Sequence, residues 1–300
     1  MRATPGLPEE NFIGEPVGRD TLNAIGLSAA LMARRDPEAV MAVFPADHLI
    51  EPAGEFRSAL GRAFALAERR PEVLITFGVP PRAPSTAYGY LELGEPFAAS
   101  DARRVRQFRE KPDAVKAVQY FEAGSDKYVW NGGIFVWRAQ TLLECIRRYR
   151  PDTGAELHLI AEAWDTPSRN SVLASVYPRL DKVSIDYAVM EPASQDPTVA
   201  VAAMPLSMQW LDIGSWPSFG QTLSRDAAGN AQAAPRCVLQ DCSRTLAISE
   251  DATHLLAIVG CEDLIVVHTR DATLVCHAAH AEAIKRLHQT VAARFGEEYC

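Results

Sequence analysis

The 300 residues are 48% hydrophobic and 23% charged, with a formal net charge of -8. That length calls for one large domain plus a smaller one, and the composition excludes a disordered chain. The acidic balance excludes a general nucleic-acid binder, which needs a basic field to displace counterions. No apolar run reaches the length that spans a bilayer, and Met1-Arg2-Ala3-Thr4-Pro5-Gly6 has no apolar stretch behind its basic residue. No membrane partner is expected, and the cytoplasm is the expected compartment. The six cysteines (145, 237, 242, 261, 276 and 300) show no C-x-x-C spacing. They read as buried free thiols, with Cys261 and Cys276 in or beside apolar strand-like runs, and not as a metal site.

Along the first two-thirds, strand-like and helix-like segments alternate. Thr21 is placed to cap a helix over 22–35, followed by a buried strand over 41–44. Phe56, Leu60 and Phe64 lie four apart, the apolar face of a helix ending near Arg70. Strands follow at 73–77, 88–93, 105–108 and 133–137. Helices follow after Pro112 up to Gly124, over 141–149 and over 153–164. This alternation predicts a mainly parallel sheet with helices on both faces.

From about Gly229 the texture changes to short strands at 238–240, 245–248, 255–259, 264–268 and 273–276. A closing helix carries Ile284, Leu287, Val291 and Phe295 on one stripe and reads as a lid. The domains expected are therefore residues 1–228 and a small β-rich domain, residues 229–300. No solenoid period is strict enough to claim from spacing alone.

Several residue groups suggest chemistry. In Phe108-Arg109-Glu110-Lys111-Pro112 an acid adjoins a base at a strand end. A carboxylate accepts sugar hydroxyl protons while an ammonium neutralises phosphate. Trp130-Asn131-Gly132-Gly133 places an amide and two glycines at the start of an apolar strand, with Trp130 and Trp137 read as core. Asp47, in Phe44-Pro45-Ala46-Asp47-His48, ends a buried strand. It either faces a ligand beyond the strand's carboxyl end or caps the next turn. Asp212, in Trp210-Leu211-Asp212-Ile213-Gly214-Ser215-Trp216, has the same two readings.

Two such carboxylates converging would suit Mg²⁺, which takes few carboxylates, waters and substrate phosphates. Glu15-Pro16-Val17-Gly18-Arg19-Asp20-Thr21 leads into a helix, either as a site for an anion or base edge or as an ordinary polar entry. Gly89, between Tyr88 and Tyr90, either lets backbone approach a sugar or marks a strand irregularity. The seven histidines have no metal-ligand spacing and read as structural. Neither G-x-S-x-G nor G-x-x-x-x-G-K-[ST] occurs, which leaves nucleophilic hydrolysis and P-loop kinase chemistry without support.

In order, E-P-x-G-R-D-T, F-P-A-D-H, T-A-Y-G-Y-L-E, F-R-E-K-P, W-N-G-G-I-F-V-W, S-I-D-Y-A-V-M-E and W-L-D-I-G-S-W resemble the bacterial mannose-1-phosphate guanylyltransferases over nearly the whole chain. The resemblance is to the short form, without an appended isomerase domain. It implies a Rossmann-like, GT-A type nucleotidyltransferase domain with a small β-helical C-terminal domain. The implied reaction joins GTP and mannose 1-phosphate to give GDP-mannose and pyrophosphate. By the same resemblance Glu15, Pro16, Asp20 and Thr21 would lie near guanine, and Asp47 and Asp212 would hold Mg²⁺. Tyr88, Gly89, Glu110, Asn131 and Asp186 would line the mannose, with Lys111 on its phosphate. A homodimer is compatible with all of this.

The chain departs from that pattern at its start, where nothing in Met1–Asn11 matches the family's G-G-x-G-x-R phosphate loop. The first βα unit is expected to be missing, two helices normally packed on its strand to expose apolar faces, and activity to be impaired. Leu22-Asn23 also stand where the family has Ala-Pro. A truncated gene model or a shortened paralogue would each account for the missing unit. A non-catalytic sugar-nucleotide-binding or regulatory protein, or a transferase for another sugar 1-phosphate, are the alternative functions.

Overall fold

The structure, a computed structural model, describes residues 6–97 and 99–299. Its contacts define two compact units. One comprises the chain through Ala46 with Ile50–Trp210; the other comprises Asp47–Leu49 with the chain from Leu211 onward.

The order of elements up to the division is α1 (Asp20–Arg35), β1 (Val40–Val43), β2 (His48–Glu51), α2 (Ala53–Arg69), β3 (Val73–Val79), β4 (Tyr90–Pro96) and β5 (Arg103–Arg109). Then follow α3 (Ala114–Glu122), β6 (Tyr128–Arg138), α4 (Ala139–Tyr149), α5 (Pro151–Ala163), α6 (Arg169–Val176), α7 (Glu191–Gln195), β7 (Ala200–Pro205) and β8 (Gln209–Asp212). Six strands form one sheet in the order β1-β6-β3-β7-β5-β4, and the start of β6 also pairs with β4.

The sheet is less parallel than the alternation predicted. Among its described pairings only β3–β7 is parallel. The link between β4 and β5 is too short for a crossover, so that pair must be antiparallel. After the α3 crossover, β6 runs in the direction of β5 and lies between β1 and β3, antiparallel to both.

Helices cover both faces, as expected. Along the fully buried β3, Val73, Ile75 and Phe77 pack with Ala59, Ala63 and Leu66 of α2. Leu74 packs on the other side with Leu22 and Leu27 of α1 and Leu142 and Ile146 of α4. Each such large side chain contributes about 1.5–3 kcal/mol through burial. Of the expected exposed apolar faces, α1 and α2 show none, whereas α3 exposes Val115, Val118 and Phe121. Helix α1 packs on α4 and α5, and Met32 is its one exposed large apolar side chain. On α2, Phe56, Leu60 and Phe64 are half-buried around the alanine face.

The second unit contains α8 (Trp216–Gln221), β9 (Ala231–Ala233), β10 (Cys237–Gln240), β11 (Leu246–Ser249), β12 (Leu256–Val259), β13 (Leu264–His268), β14 (Thr273–His277) and α9 (Ile284–Phe295). Strands β9, β11 and β13 stack in parallel, as do β10 and β12, which is the ladder of a short β-helix. The antiparallel β14 ends the stack. Asp241, Arg244 and Asp263 take left-handed backbone (φ 53, 49 and 52) at its corners. Arg244 bonds Asp263 at 2.7 Å and Glu262 at 2.6 Å, tying one coil to the next.

Two expectations change in this unit. Helix α9 buries none of its side chains, and Leu287 and Phe295 are exposed. Its stripe is present, but the solenoid core is already filled by the strands' own side chains and by Trp216, Phe219 and Leu223. The thiols are free, but Cys261 and Cys276 are half-exposed, because they sit at a corner and on the terminal strand; Cys145 and Cys242 are the buried ones. Cys300 lies outside the described residues.

Candidate active site

In the first unit the glycine pair of the W-N-G-G segment explains its own position. Opposite Thr76–Gly78 of β3, β6 carries extra residues, so pairing jumps from Thr76↔Phe135 to Gly78↔Asn131. Gly133 has φ 65, and a Cβ on Gly132 would lie 3.0 Å from the Phe77 carbonyl oxygen, so this bulge needs both glycines. The bulge presents Asn131, whose amide nitrogen donates to Asp186 Oδ1 at 2.9 Å. Thr76, fully buried, donates from Oγ1 to Asn131 Oδ1 at 2.6 Å. Asp186 opens a π-helical turn, Asp186–Met190, a wide turn common at functional sites.

Glu110 and Lys111 lie just past the end of β5. Glu191 of α7 anchors that end, accepting from Arg109 at 2.8 Å, while Ser194 accepts from the Phe108 amide at 2.9 Å. Lys111 has φ 44, a left-handed conformation that is costly for a side-chain-bearing residue. Its ammonium lies 3.6 Å from Glu110 Oε1. Gly89 leaves the space that Glu110 occupies: a Cβ there would collide with Glu110 Oε2 and lie 2.6 Å from the Phe108 ring.

Burial, reinforced by the Asp186 charge, pushes the Glu110 carboxyl up to about 7 against the pull of Lys111. Burial also raises Asp186, opposed by its backbone hydrogen bond, Asn131 and Lys111. Two carboxyls held above their usual range beside an ammonium and an amide form a set that both accepts and donates to hydroxyls.

The helix-entry loop is stitched to the segment leading into Asp186. Thr21 Oγ1 accepts from the Ile185 amide at 2.9 Å, so it does not cap its helix, which begins at Asp20 (φ 64). Glu15 accepts a hydrogen bond from Tyr177 at 2.5 Å, and Pro16 is exposed in the same loop. Asn23 is fully buried and donates to the Arg19 and Asp181 carbonyls at 2.7 and 2.8 Å. It thus performs a stitching role of its own in this loop. Tyr88 packs between Trp130, tilted at a centroid distance of 4.9 Å, and Trp210, edge-on at 5.3 Å, and lies outside β4 together with Gly89. Trp130 and Trp137 are core, as read from the sequence.

In the second unit Asp47 and Asp212 come together with His48, their ligand atoms all within 4.8 Å of one another. The Ile213 amide donates to the Asp47 carbonyl at 2.8 Å, and the Gly214 amide donates to Asp212 Oδ1 at 2.8 Å. A Cβ on Gly214 would sit 2.8 Å from Asp212 Oδ1 and 3.5 Å from Asp47 Oδ2, filling the corner that a cation would use. Two carboxylates fit Mg²⁺, and the imidazole adds a borderline donor. Burial lowers His48, partly offset by Asp212 and Asp47. The sequence reading gives His48 only a structural role; its adjacency to Asp47 is the signal that could have found it.

Residues 3–228 match the nucleotidyl transferase family model, and residues 236–290 match that of the MannoseP isomerase/GMP-like β-helix domain. The chain belongs to the nucleotidyl transferase family. It is similar to the xanthan biosynthesis protein XanB of Xanthomonas campestris pv. campestris strain B100, at 36% identity over 94% of this chain and 57% of that protein. It is likewise similar to the mannose-1-phosphate guanylyltransferase of Escherichia coli K12, at 34% over 95% of this chain and 58% of that protein. The chain therefore spans little more than half the length of these curated relatives. A solved structure described as a mannose-1-phosphate geranyltransferase from Thermus thermophilus superposes with a TM-score of 0.77 at 28% identity, covering 93% of this chain and 77% of that one. The fold of this nucleotidyl transferase is thus a nucleotidyltransferase domain followed by a small β-helical domain. Among the described residues, no helix is long and apolar enough to cross a membrane.

Proposed function

We propose that this chain transfers GMP from GTP to mannose 1-phosphate, giving GDP-mannose and pyrophosphate. The observation that carries this reading is the convergence of Asp47 and Asp212, far apart in sequence, on a corner kept open by Gly214. In this reading they hold Mg²⁺, which neutralises phosphate charge when bound. Lys111 meets the phosphate of the sugar, and Tyr88, Gly89, Glu110, Asn131 and Asp186 hold the hexose. Glu15, Pro16, Asp20 and Thr21 border the guanine. The sugar phosphate is largely ionised at neutral pH (second pKa about 6), so its oxygen attacks the α-phosphorus without a general base. One P–O bond forms as the α–β bridging bond breaks, and pyrophosphate leaves with the electron pair. The protein's task is positioning and charge neutralisation.

Residues 1–228 serve as the transferase domain and 229–300 as the β-helical appendage, in line with the two family-model matches. The cytoplasm is the compartment that fits, and a homodimer is the oligomer to look for. The test is pyrophosphate release from GTP and mannose 1-phosphate with Mg²⁺. GTP should outcompete UTP and dTTP, and mannose 1-phosphate should outcompete glucose 1-phosphate. A preference for either pyrimidine nucleotide overturns the reading, and calorimetric binding of GDP-mannose without turnover would replace it with that of a non-catalytic binding protein.

A further inference from the structure

We propose that Thr76 is a positioning residue for the sugar site, fixing which face of the Asn131 amide is presented to Asp186 and to the hexose. The inference rests on the functional reading above and adds to it a residue from the interior of β3.

Thr76 is a fully buried polar side chain in a strand whose every residue is buried. A buried hydroxyl must find partners, and this one has two acceptors within reach: Asn131 Oδ1 at 2.6 Å and the Ile134 carbonyl at 3.2 Å. It has one proton to give, and the shorter contact takes it. Asn131 Oδ1 also receives the Gly133 amide at 3.4 Å, so two donors converge on that oxygen. The oxygen end of the amide is thereby turned toward β3, and the nitrogen end is left to donate to Asp186 Oδ1.

A flipped amide would place its oxygen against the Asp186 carboxyl and its nitrogen against the Thr76 hydroxyl. The first contact is repulsive whenever Asp186 is charged. Without the Thr76 proton, Asn131 Oδ1 keeps only the Gly133 amide at 3.4 Å as a donor, and the unflipped state loses its shortest support beside Asp186. The β6 bulge adds a second reason to see design here, since it brings Asn131 within reach of a side chain on the neighbouring strand.

The experiment uses the full chain with Thr76→Val and Thr76→Ser. Valine keeps the volume and branching but gives no proton; serine keeps the proton. Thr76→Val is expected to raise KM for mannose 1-phosphate about tenfold, with KM for GTP unchanged, and Thr76→Ser to restore it. A carbon-13 carboxyl titration should show the Asp186 midpoint moving upward in Thr76→Val, because the carboxylate loses a donor. The other charges facing Asp186, from Lys111, Asp20 and Glu110, remain in place.

Should Thr76→Val fail to fold, Thr76→Ala, which likewise gives no proton, carries the same expectations. An unmoved Asp186 midpoint, or equal losses for both substrates, overturns the proposal. If the unmodified chain makes no GDP-mannose, the functional reading falls, whereas the Asp186 titration still decides whether Thr76 sets the amide.

Discussion

At Glu110, burial and ligand recognition act against each other. Its carboxyl titrates at about 7 in the folded chain, against 4.5 for an ordinary glutamate. The folded state therefore holds a proton that the unfolded chain has released, and its stability falls as pH rises from about 4.5 through 7. Above that window the loss is complete, on the order of 3 kcal/mol for a shift of this size. Glu110→Gln should accordingly flatten the fall in Tm between pH 5 and pH 8 while abolishing sugar-phosphate binding. Thermal melts across that range, paired with calorimetric titration of mannose 1-phosphate, check both halves. A variant as pH-sensitive as the parent would show that the strain lies elsewhere. Glu110 and Lys111 were legible in the sequence because an acid adjoins a base at a strand end, and Asn131 because an amide stands before two glycines. Thr76 was not, since a threonine inside Val-Leu-Ile-Thr-Phe is also an ordinary strand former.

At the level of elements, segments with strong periodicity or punctuation were found to within a few residues. The strands of the second unit from β10 to β14 were placed almost residue by residue by their acidic or polar turns, whereas β9 was missed. Helix α6 and strand β7 went unrecognised, because the apolar face of Arg-Asn-Ser-Val-Leu-Ala-Ser-Val is short, only Val172, Leu173 and Val176, and Ala-Val-Ala-Ala-Met-Pro is poor in β-formers. The solenoid stayed hidden because its steps are unequal: Ala231 to Leu246 is a shorter interval than Leu246 to Ile265. The helix layer makes its own prediction. Gly26 of α1 faces α4 and α5, where a Cβ would lie 2.6 Å from Leu157 Cδ1 and 3.1 Å from Ile146 Cδ1. Gly26→Val should overpack that crossing by about 2 kcal/mol. A Tm lowered by about 5 °C is the expected reading, and an unchanged Tm would mean the three helices yield more freely than their burial implies.

For the whole molecule, the division by contacts at Trp210/Leu211 lies upstream of the change in sequence texture near Gly229. Composition marks where short strands begin, but the side chains that support them begin earlier. Trp216, Phe219 and Leu223 pack against Ala231, Leu246, Ile248, Ile265 and Val267. A chain ending at residue 228 would leave those three uncovered. It should show a red-shifted tryptophan emission and aggregate on warming, whereas a native-like spectrum would argue for a self-sufficient first domain.

Asp47–Leu49 belongs with the second unit although it is encoded amid the first. Anyone recombining this protein with a homologue at a single crossover between residues 50 and 210 would import a new Asp212 and keep the old Asp47. Such hybrids would inherit a mismatched pair of carboxylates at the corner shaped by Gly214. A working hybrid would have to exchange two stretches of the gene at once, so the loop and the distal third should be treated as a single heritable module.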